Sequence, residues 1–468
     1  MRIASIDQGT TSTRILVVDQ EGKGIVVHAA RHAQHHPHPG FVEHDPEELI
    51  RHITDCVEAA GPLDAIGIDN QGESCLAWDA KTGEALSPVI VWQDSRTHEA
   101  IERLKAEGGD ALTLERAGLP LDPYFSASKL RWLLDNNETV RSSLKRGSLR
   151  LGTTDAFFLA RLTGICATDV TTASRTSLMD LAKGTWDEEL CRLFGVPVET
   201  LPEIRPTVSS FGAIKGVPVT ASLVDQQAAL YGHGCRKAGD IKITFGTGAF
   251  VLAVTGVEII RAPERGLLPT IAWQTKDERH YAVDGGVYNA GSAVEWAERI
   301  GLLRNLDELG HFESGAAIER GLAFVPALSG LAAPHWDRSA AGLWIGMGLE
   351  TERADMLQAI LEGVALRTAE VVEAMSASLA IASSISIDGG LTRSAYFRQF
   401  LADVLGKKLH LRDVDELTAY GAASLAALGI GHELPVCPVA SEIVPHGSAV
   451  GLWRDRFSDA VTRARGWR

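Results

Sequence analysis

The chain has 468 residues, 45% of them hydrophobic and 22% charged, a composition that builds a large core and excludes both a small stapled module and extensive disorder. Lys plus Arg number 45 against 60 Asp plus Glu, and the net charge of -15 repels nucleic acid and acidic membrane surfaces, so neither is expected as a partner. Cys56, Cys75, Cys166, Cys191, Cys235 and Cys437 lie far apart with no CxxC spacing, which reads as reduced thiols rather than a zinc knuckle or a disulfide frame.

The opening residues, MRIASIDQGTT, pass directly into alternating apolar positions with no signal-peptide pattern, and no later run approaches the roughly 18 apolar residues of a membrane span. The expectation is a cytoplasmic protein with no membrane insertion. Ile3 to Asp7, Ile15 to Asp19 and Ile25 to Arg31 are β-branched runs separated by Gly-bearing turns, and they predict a three-stranded meander. Next come a helix over Pro46 to Glu58, a strand over Ala65 to Asp69, a strand over Val89 to Trp92 and a helix over Thr97 to Lys105. This alternation predicts an α/β fold with a sheet covered on both faces. A second meander begins near Asp240, where IKITFGTGAFVLAV places a Gly-Thr turn between apolar strands, so one architecture is expected twice. Leu357, Ile360, Leu361 and Val364, at i, i+3, i+4, i+7 spacing, mark a long helix from about Asp355 to Ala377. A strand over Ser384 to Asp388, the pair Gly389-Gly390 and a helix over Thr418 to Leu428 complete the pattern. The natural boundary falls within 233–240, giving units 1–236 and 237–468 around a cleft.

His28, His32, His35, His36 and His38 form a His-rich stretch, but flanking prolines and the lack of an acidic or Cys partner argue against a built tetrahedral metal site. Neither a P-loop nor a G-x-G-x-x-G fingerprint is present, so a phosphate site must be built otherwise. Asp7-Gln8-Gly9-Thr10-Thr11-Ser12-Thr13-Arg14 offers backbone N–H groups, hydroxyls and a guanidinium to an anion, with a carboxylate for hydrated Mg²⁺. Alone it also reads as an ordinary polar hairpin. The order of this turn, the turn Phe245-Gly246-Thr247-Gly248-Ala249-Phe250 and the strand end Asp388-Gly389-Gly390 fits a nucleotide clamped between two units.

On these residues the chain resembles the FGGY carbohydrate kinases, and within them the glycerol-phosphorylating members. The resembling stretches include DQGTTSTR (7–14), PGFVEHDPEE (39–48), IVWQDSRT (90–97), DPYFSASKLRW (122–132), TTASRT (171–176), DQQAALYG (225–232), FGTGAF (245–250), FVPALSGLAAPHWD (324–337) and DGGLTRS (388–394). The family's longer signatures lie over Tyr124 to Asn136 and Gly342 to Glu362. The resemblance implies two actin-like domains with an interdomain cleft, the N-terminal one binding the polyol and the C-terminal one ATP. It implies Mg²⁺-dependent phosphorylation of a small polyol, glycerol first, with Asp225 as general base; Asp225 also reads as a helix cap. Glu73, Trp92, Tyr124, Asp225, Gln226 and Phe250 would meet the polyol, although Trp92 and Phe250 also read as packing residues. Thr10, Thr11, Ser12, Arg14, Thr247, Gly248, Gly291, Gly390 and Ser394 would meet ATP, with Asp7 and Asp225 in the outer shell of Mg²⁺. Family members are commonly homodimers or homotetramers.

The chain departs from this pattern at three places. Gly72 stands where glycerol-phosphorylating members carry an Arg that hydrogen-bonds the polyol. Such a loss costs about one to two decades of affinity unless another donor replaces it, which opens the pocket to erythritol, a pentitol, xylulose or ribulose. Glu295 and Ser394 replace Gln and Asn on the adenosine side. The segment Phe211 to Thr220 is short, so control through that loop is not expected. From another class, a non-catalytic nucleotide-dependent binding protein would use the same fold, and the retained Asp225 speaks against it.

Overall fold

The computed structural model describes residues 1–276, 278–447 and 450–468. The first meander forms as the turn chemistry predicts, with Arg2–Gln8, Ser12–Asp19 and Gly24–Arg31 running antiparallel. Buried apolar residues at Ile3, Ala4 and Ile6 anchor the central strand. Ala65–Asn70 and then Val217–Val224 add to its other side in parallel, and Ala213–Ile214 closes the six-stranded sheet.

A second sheet repeats the plan. Ile241–Phe245 pairs antiparallel with Ala249–Gly256, which pairs with Arg279–Val287, while Ser384–Gly389 and Lys408–Arg412 continue in parallel on the opposite side. Leu268–Gln274 and Val439–Ile443 occupy the edges of these seven strands. Both sheets therefore consist of a meander extended by two parallel strands. The sequence resemblance between the meanders is weak, but the topology is the same.

The predicted helices form at Pro46–Ala60, His98–Ala106, Arg353–Ser376 and Leu417–Gly429. Asp45 caps the first by accepting from the Glu47 N–H. The predicted Val89 to Trp92 strand shortens to Val89–Ile90. Its continuation leaves the sheet because the Trp92 backbone N–H is taken by Ser74 Oγ at 3.1 Å, so no ladder bond is made there.

Each sheet owns an apolar cluster, and a third cluster joins them. Ile3, Leu16, Leu223 and Leu230 come from the first half of the chain, Leu252, Val254 and Trp273 from the second meander, and Leu417, Tyr420 and Leu425 from the Leu417–Gly429 helix. That helix lies against the short Asp225–Gly232 helix and also against the first sheet. A Cβ on Gly421 would fall onto the carbonyl oxygen of Ala228, so only glycine permits this approach. No helix among the described residues is long and apolar enough to cross a membrane.

Candidate active site

Three parallel strands of the first sheet end side by side. Asp7 is in register with Asp69, and Asp69 with Leu223, so Asp225 begins its helix one step beyond the neighbouring strand end. The carboxyl ends of parallel strands are where open α/β sheets bind ligands. Burial raises Asp7, against the lowering influence of Arg14 and of a hydrogen bond shared with Asp69, while burial and then the charge of Asp7 push Asp69 well above the usual carboxylate range. Asp225 is pushed up to about 7, first by burial and then by the charges of Glu73 and Asp7, while Lys242 pulls it down. Asp225 is the first residue of its helix, and its carboxylate accepts from the Gln226 N–H beside it, which favours the charged form against burial.

The polyol candidates gather beside it. Glu73 is 4% exposed and adopts a left-handed backbone with φ 61. Its Oε1 accepts from Arg175 Nε at 2.6 Å, and Arg175 Nη2 lies 3.2 Å from Asp284 Oδ2 on the second sheet. Burial raises Glu73, against the lowering influence of Arg175. Trp92 donates from Nε1 to Thr10 Oγ1 at 3.0 Å, tying the polyol side to the first phosphate turn. Its ring meets Tyr124 edge to face at 5.7 Å. Burial, then the charge of Glu73, pushes the Tyr124 hydroxyl well up, so it stays protonated as a donor. Lys129, fully buried, holds this segment by donating to the carbonyl oxygen of Tyr124 at 2.5 Å. Gln226 Oε1 accepts at 2.6 Å from Lys242 Nζ, which also donates to Thr244 Oγ1 at 3.0 Å. Phe250, half-buried, stands on the second sheet opposite Thr244 and Gly286.

On the phosphate side, Arg14 Nη1 donates to both oxygens of Glu416 at 2.6 and 2.7 Å, and Nη2 donates to Ser12 Oγ at 3.1 Å. Arg14 Nε is 3.5 Å from Asp7. Thr11 is exposed at the tip of the turn. The second turn sits on the start of the Gly291–Arg299 helix: the Thr247 carbonyl accepts from Ala290 and Ser292 at 3.0 Å, and Gly246 accepts from Gly291 at 2.9 Å. The carbonyls of Gly246 and Thr247 thus satisfy the first N–H groups of that helix and fix the turn that carries Gly248. Gly390 opens a short turn where an added Cβ would meet open space, whereas Gly389, at φ 96, is the residue that the tight strand exit demands. Ser394 is the N-cap of the Ala395–Leu405 helix: its hydroxyl accepts from the Phe397 N–H at 3.0 Å and donates to the Leu309 carbonyl at 2.6 Å. The hydroxyl's one proton is thereby committed inside the protein.

Residue spacing did not single out Asp69, Arg175, Lys242 or Asp284. Arg175 lies within the resembling stretch TTASRT, and Lys242 is a charged residue inside an apolar strand; those were the available signals. Within the same stretch, Thr171 Oγ1 accepts from the Val224 N–H at 3.0 Å and so fixes the backbone just before Asp225. In the His-rich stretch, His32 packs edge to face on His44 at 4.7 Å and its Nε2 lies 3.0 Å from the Thr10 carbonyl, behind the phosphate turn.

Models of the FGGY family of carbohydrate kinases match this chain twice, the N-terminal domain over residues 2–232 and the C-terminal domain over residues 241–430. The chain belongs to the FGGY family of carbohydrate kinases. A glycerol kinase of Haloferax volcanii is 40% identical over 459 residues, spanning 92% of this chain and 90% of that protein. One of Thermus brockianus is 40% identical over an alignment of 491 positions, spanning 100% of this chain and 97% of that protein. Among solved structures, a Plasmodium falciparum glycerol kinase with ADP superposes at a TM-score of 0.91 with 31% identity, covering 99% of this chain and 98% of that one. A xylulose kinase of Lactobacillus acidophilus shares the fold at a TM-score of 0.89 with 21% identity, covering 99% of both chains. As an FGGY member the protein is a polyol kinase.

Proposed function

We propose that this FGGY kinase transfers the γ-phosphoryl group of ATP to glycerol, giving glycerol 3-phosphate and ADP. The observation that carries the reading is the position of Asp225: a carboxylate at the helix start beyond the strand ends, pushed up to about 7 by burial and by the charges of Glu73 and of the phosphate-turn residue Asp7. Residues 1–236 form the polyol-binding lobe and 237–468 the nucleotide-binding lobe, a division supported by the way the two sheets share out the chain.

Glu73 accepts from one glycerol hydroxyl, Tyr124 donates to another, Trp92 and Phe250 cover the carbon backbone, and Gln226 lies beside the base. The reacting hydroxyl gives its proton to Asp225 as its oxygen bonds to the γ-phosphorus. The bond from that phosphorus to the β–γ bridging oxygen breaks, and ADP leaves. Such a transfer depends on positioning and charge stabilisation more than on strong basicity. Arg14, the hydroxyls of Thr10, Thr11 and Ser12, and the backbone at Thr247 and Gly248 cradle the phosphates, while Gly291, Gly390 and Ser394 line the adenosine side. Closure of the lobes excludes water and limits hydrolysis of ATP.

Magnesium fits the carboxylates present. Among the described residues no three ligands are preassembled for a metal. Asp7 and Asp69 nevertheless share a hydrogen bond, and Asp69 Oδ1 is buried without a partner. That donor set suits a hydrated ion held mainly by substrate phosphates, with Asp7 and Asp225 in its outer shell. When bound, the ion neutralises phosphate charge.

Glycerol is tested against erythritol, pentitols, xylulose and ribulose by coupled ADP release with Mg-ATP. The expected result is the highest kcat/KM for glycerol. A higher value for a four- or five-carbon substrate, reversed by Gly72→Arg, would replace glycerol with the larger substrate. No turnover on the whole panel would favour the non-catalytic reading.

A further inference from the structure

Arg175 is the one guanidinium buried among the polyol candidates, and its bonds do not use it up. It is 4% exposed. Nε donates to Glu73 at 2.6 Å, Nη2 pairs with Asp284 at 3.2 Å, and the guanidinium carbon lies 5.9 Å from the Tyr124 ring centroid and 5.5 Å from that of Phe125. Nη1 is buried and has no hydrogen-bond partner among the described residues. A guanidinium cannot shed its charge, so an orphaned N–H of this kind is costly until some acceptor reaches it. Its neighbours name the acceptor: Glu73 and Tyr124 are both assigned to substrate hydroxyls. The residue preceding Glu73 is Gly72, which brings no donor of its own.

We propose that Arg175 is a specificity-determining residue of the polyol site. Nη1 donates to a substrate hydroxyl, and Nε aims the Glu73 carboxylate so that its second oxygen accepts from the polyol. Glu73 needs such a hold because its backbone sits in the left-handed region, where a non-glycine residue is strained. The inference rests on the polyol-kinase reading.

The test is steady-state kinetics of the full-length chain as wild type, Arg175→Lys, Arg175→Met and the double variant Arg175→Met with Gly72→Arg. Lysine keeps a charge beside Glu73 but offers one donor nitrogen in place of three, so it carries the test if the Met variant does not fold. Both single variants are expected to raise KM for the preferred polyol about 10- to 100-fold while KM for ATP moves less than twofold. The double variant is expected to recover at least tenfold of that loss, since a guanidinium from position 72 reaches the same hydroxyls. The added Cβ meets Val224 Cγ1 at 3.0 Å, an approach relieved by a shift of a few tenths of an ångström. A KM for polyol within twofold of wild type in both single variants overturns the proposal. So does a rise shared equally with ATP, or a double variant with no recovery. The variants are read against whichever polyol the wild type phosphorylates best, so failure of the glycerol assignment and failure of Arg175 give different results.

Discussion

Asp225 is governed by opposing influences that make a direct prediction. Burial and the charges of Glu73 and Asp7 hold its proton until about pH 7, so the base is lost to protonation below that pH. We expect kcat/KM for the polyol to fall about tenfold per unit below pH 7, and Asp225→Asn to lower kcat by about 10² to 10⁴ across the range. Undiminished turnover in that variant would remove Asp225 from the base role. The same shift has a stability consequence. A folded-state pKa above the unfolded value of 3.8 gives stability that is present at low pH and lost as pH rises through about 7. Asp225→Asn should therefore melt higher than wild type at pH 8, with the difference vanishing near pH 4. Lys242 works against the carboxylates. It is fully buried and faces Asp388, Asp225 and Asp284, and burial lowers its own pKa. Lys242→Met should move the acid limb of the pH profile upward, read from the same kinetics. The sequence offered Asp225, Trp92 and Tyr124 as site candidates only through stretches that resemble the family, since by local pattern Asp225 also reads as a cap and Trp92 as packing. Arg175 was not offered, because its meaning comes from Glu73, 102 positions away, and no spacing rule spans that distance.

At the level of elements, the meanders were legible because Gly-bearing turns between β-branched runs leave the backbone few alternatives. The parallel strands were harder. Val217–Val224 and its place beside Ala65–Asn70 depend on pairing between segments about 150 residues apart, and only the folded chain reveals that the two strand ends put Asp69 next to Asp225. The end of the second sheet shows how an element can claim a residue that looked functional. Ser394 accepts from Phe397 and donates to Leu309, and an N-cap of this type contributes about 1 kcal/mol. Ser394→Ala should cost about that much in a denaturant titration. If KM for ATP stays within twofold in that variant, the residue serves the helix and its hydroxyl has no part in holding the nucleotide. A rise beyond fivefold with unchanged stability would give the hydroxyl to the nucleotide.

Across the whole molecule, the two sheets divide the chain near residue 236, but the packing does not. The Leu417–Gly429 helix belongs by sequence to the second half and covers the first sheet, with Leu417, Tyr420 and Leu425 in the cluster that also holds Ile3, Leu16 and Leu223. The sequence pattern gave no warning of this, since an apolar helix carries no label for the sheet it will cover. Removing residues 237–468 would expose that apolar surface on the first sheet and leave a large patch seeking a partner. The tight approach of Gly421 to Ala228 allows no loose substitute for the helix. Two consequences follow for folding. Fragment 1–236 expressed alone should be aggregated or lack a cooperative transition, and the intact chain should unfold in a single calorimetric peak, with both sheets lost together. Two resolved peaks, or a soluble fragment with a sharp melt of its own, would mean that the shared cluster does not couple the lobes. Coupling of this kind also bears on the proposed catalysis: the helices Asp225–Gly232 and Leu417–Gly429 pack against each other where the two halves of the chain meet, and Asp225 is the first residue of one of them. A Gly421→Val variant forces the two helix backbones apart and should lose more than about 3 kcal/mol of stability, read in a denaturant titration, and kcat should fall with it.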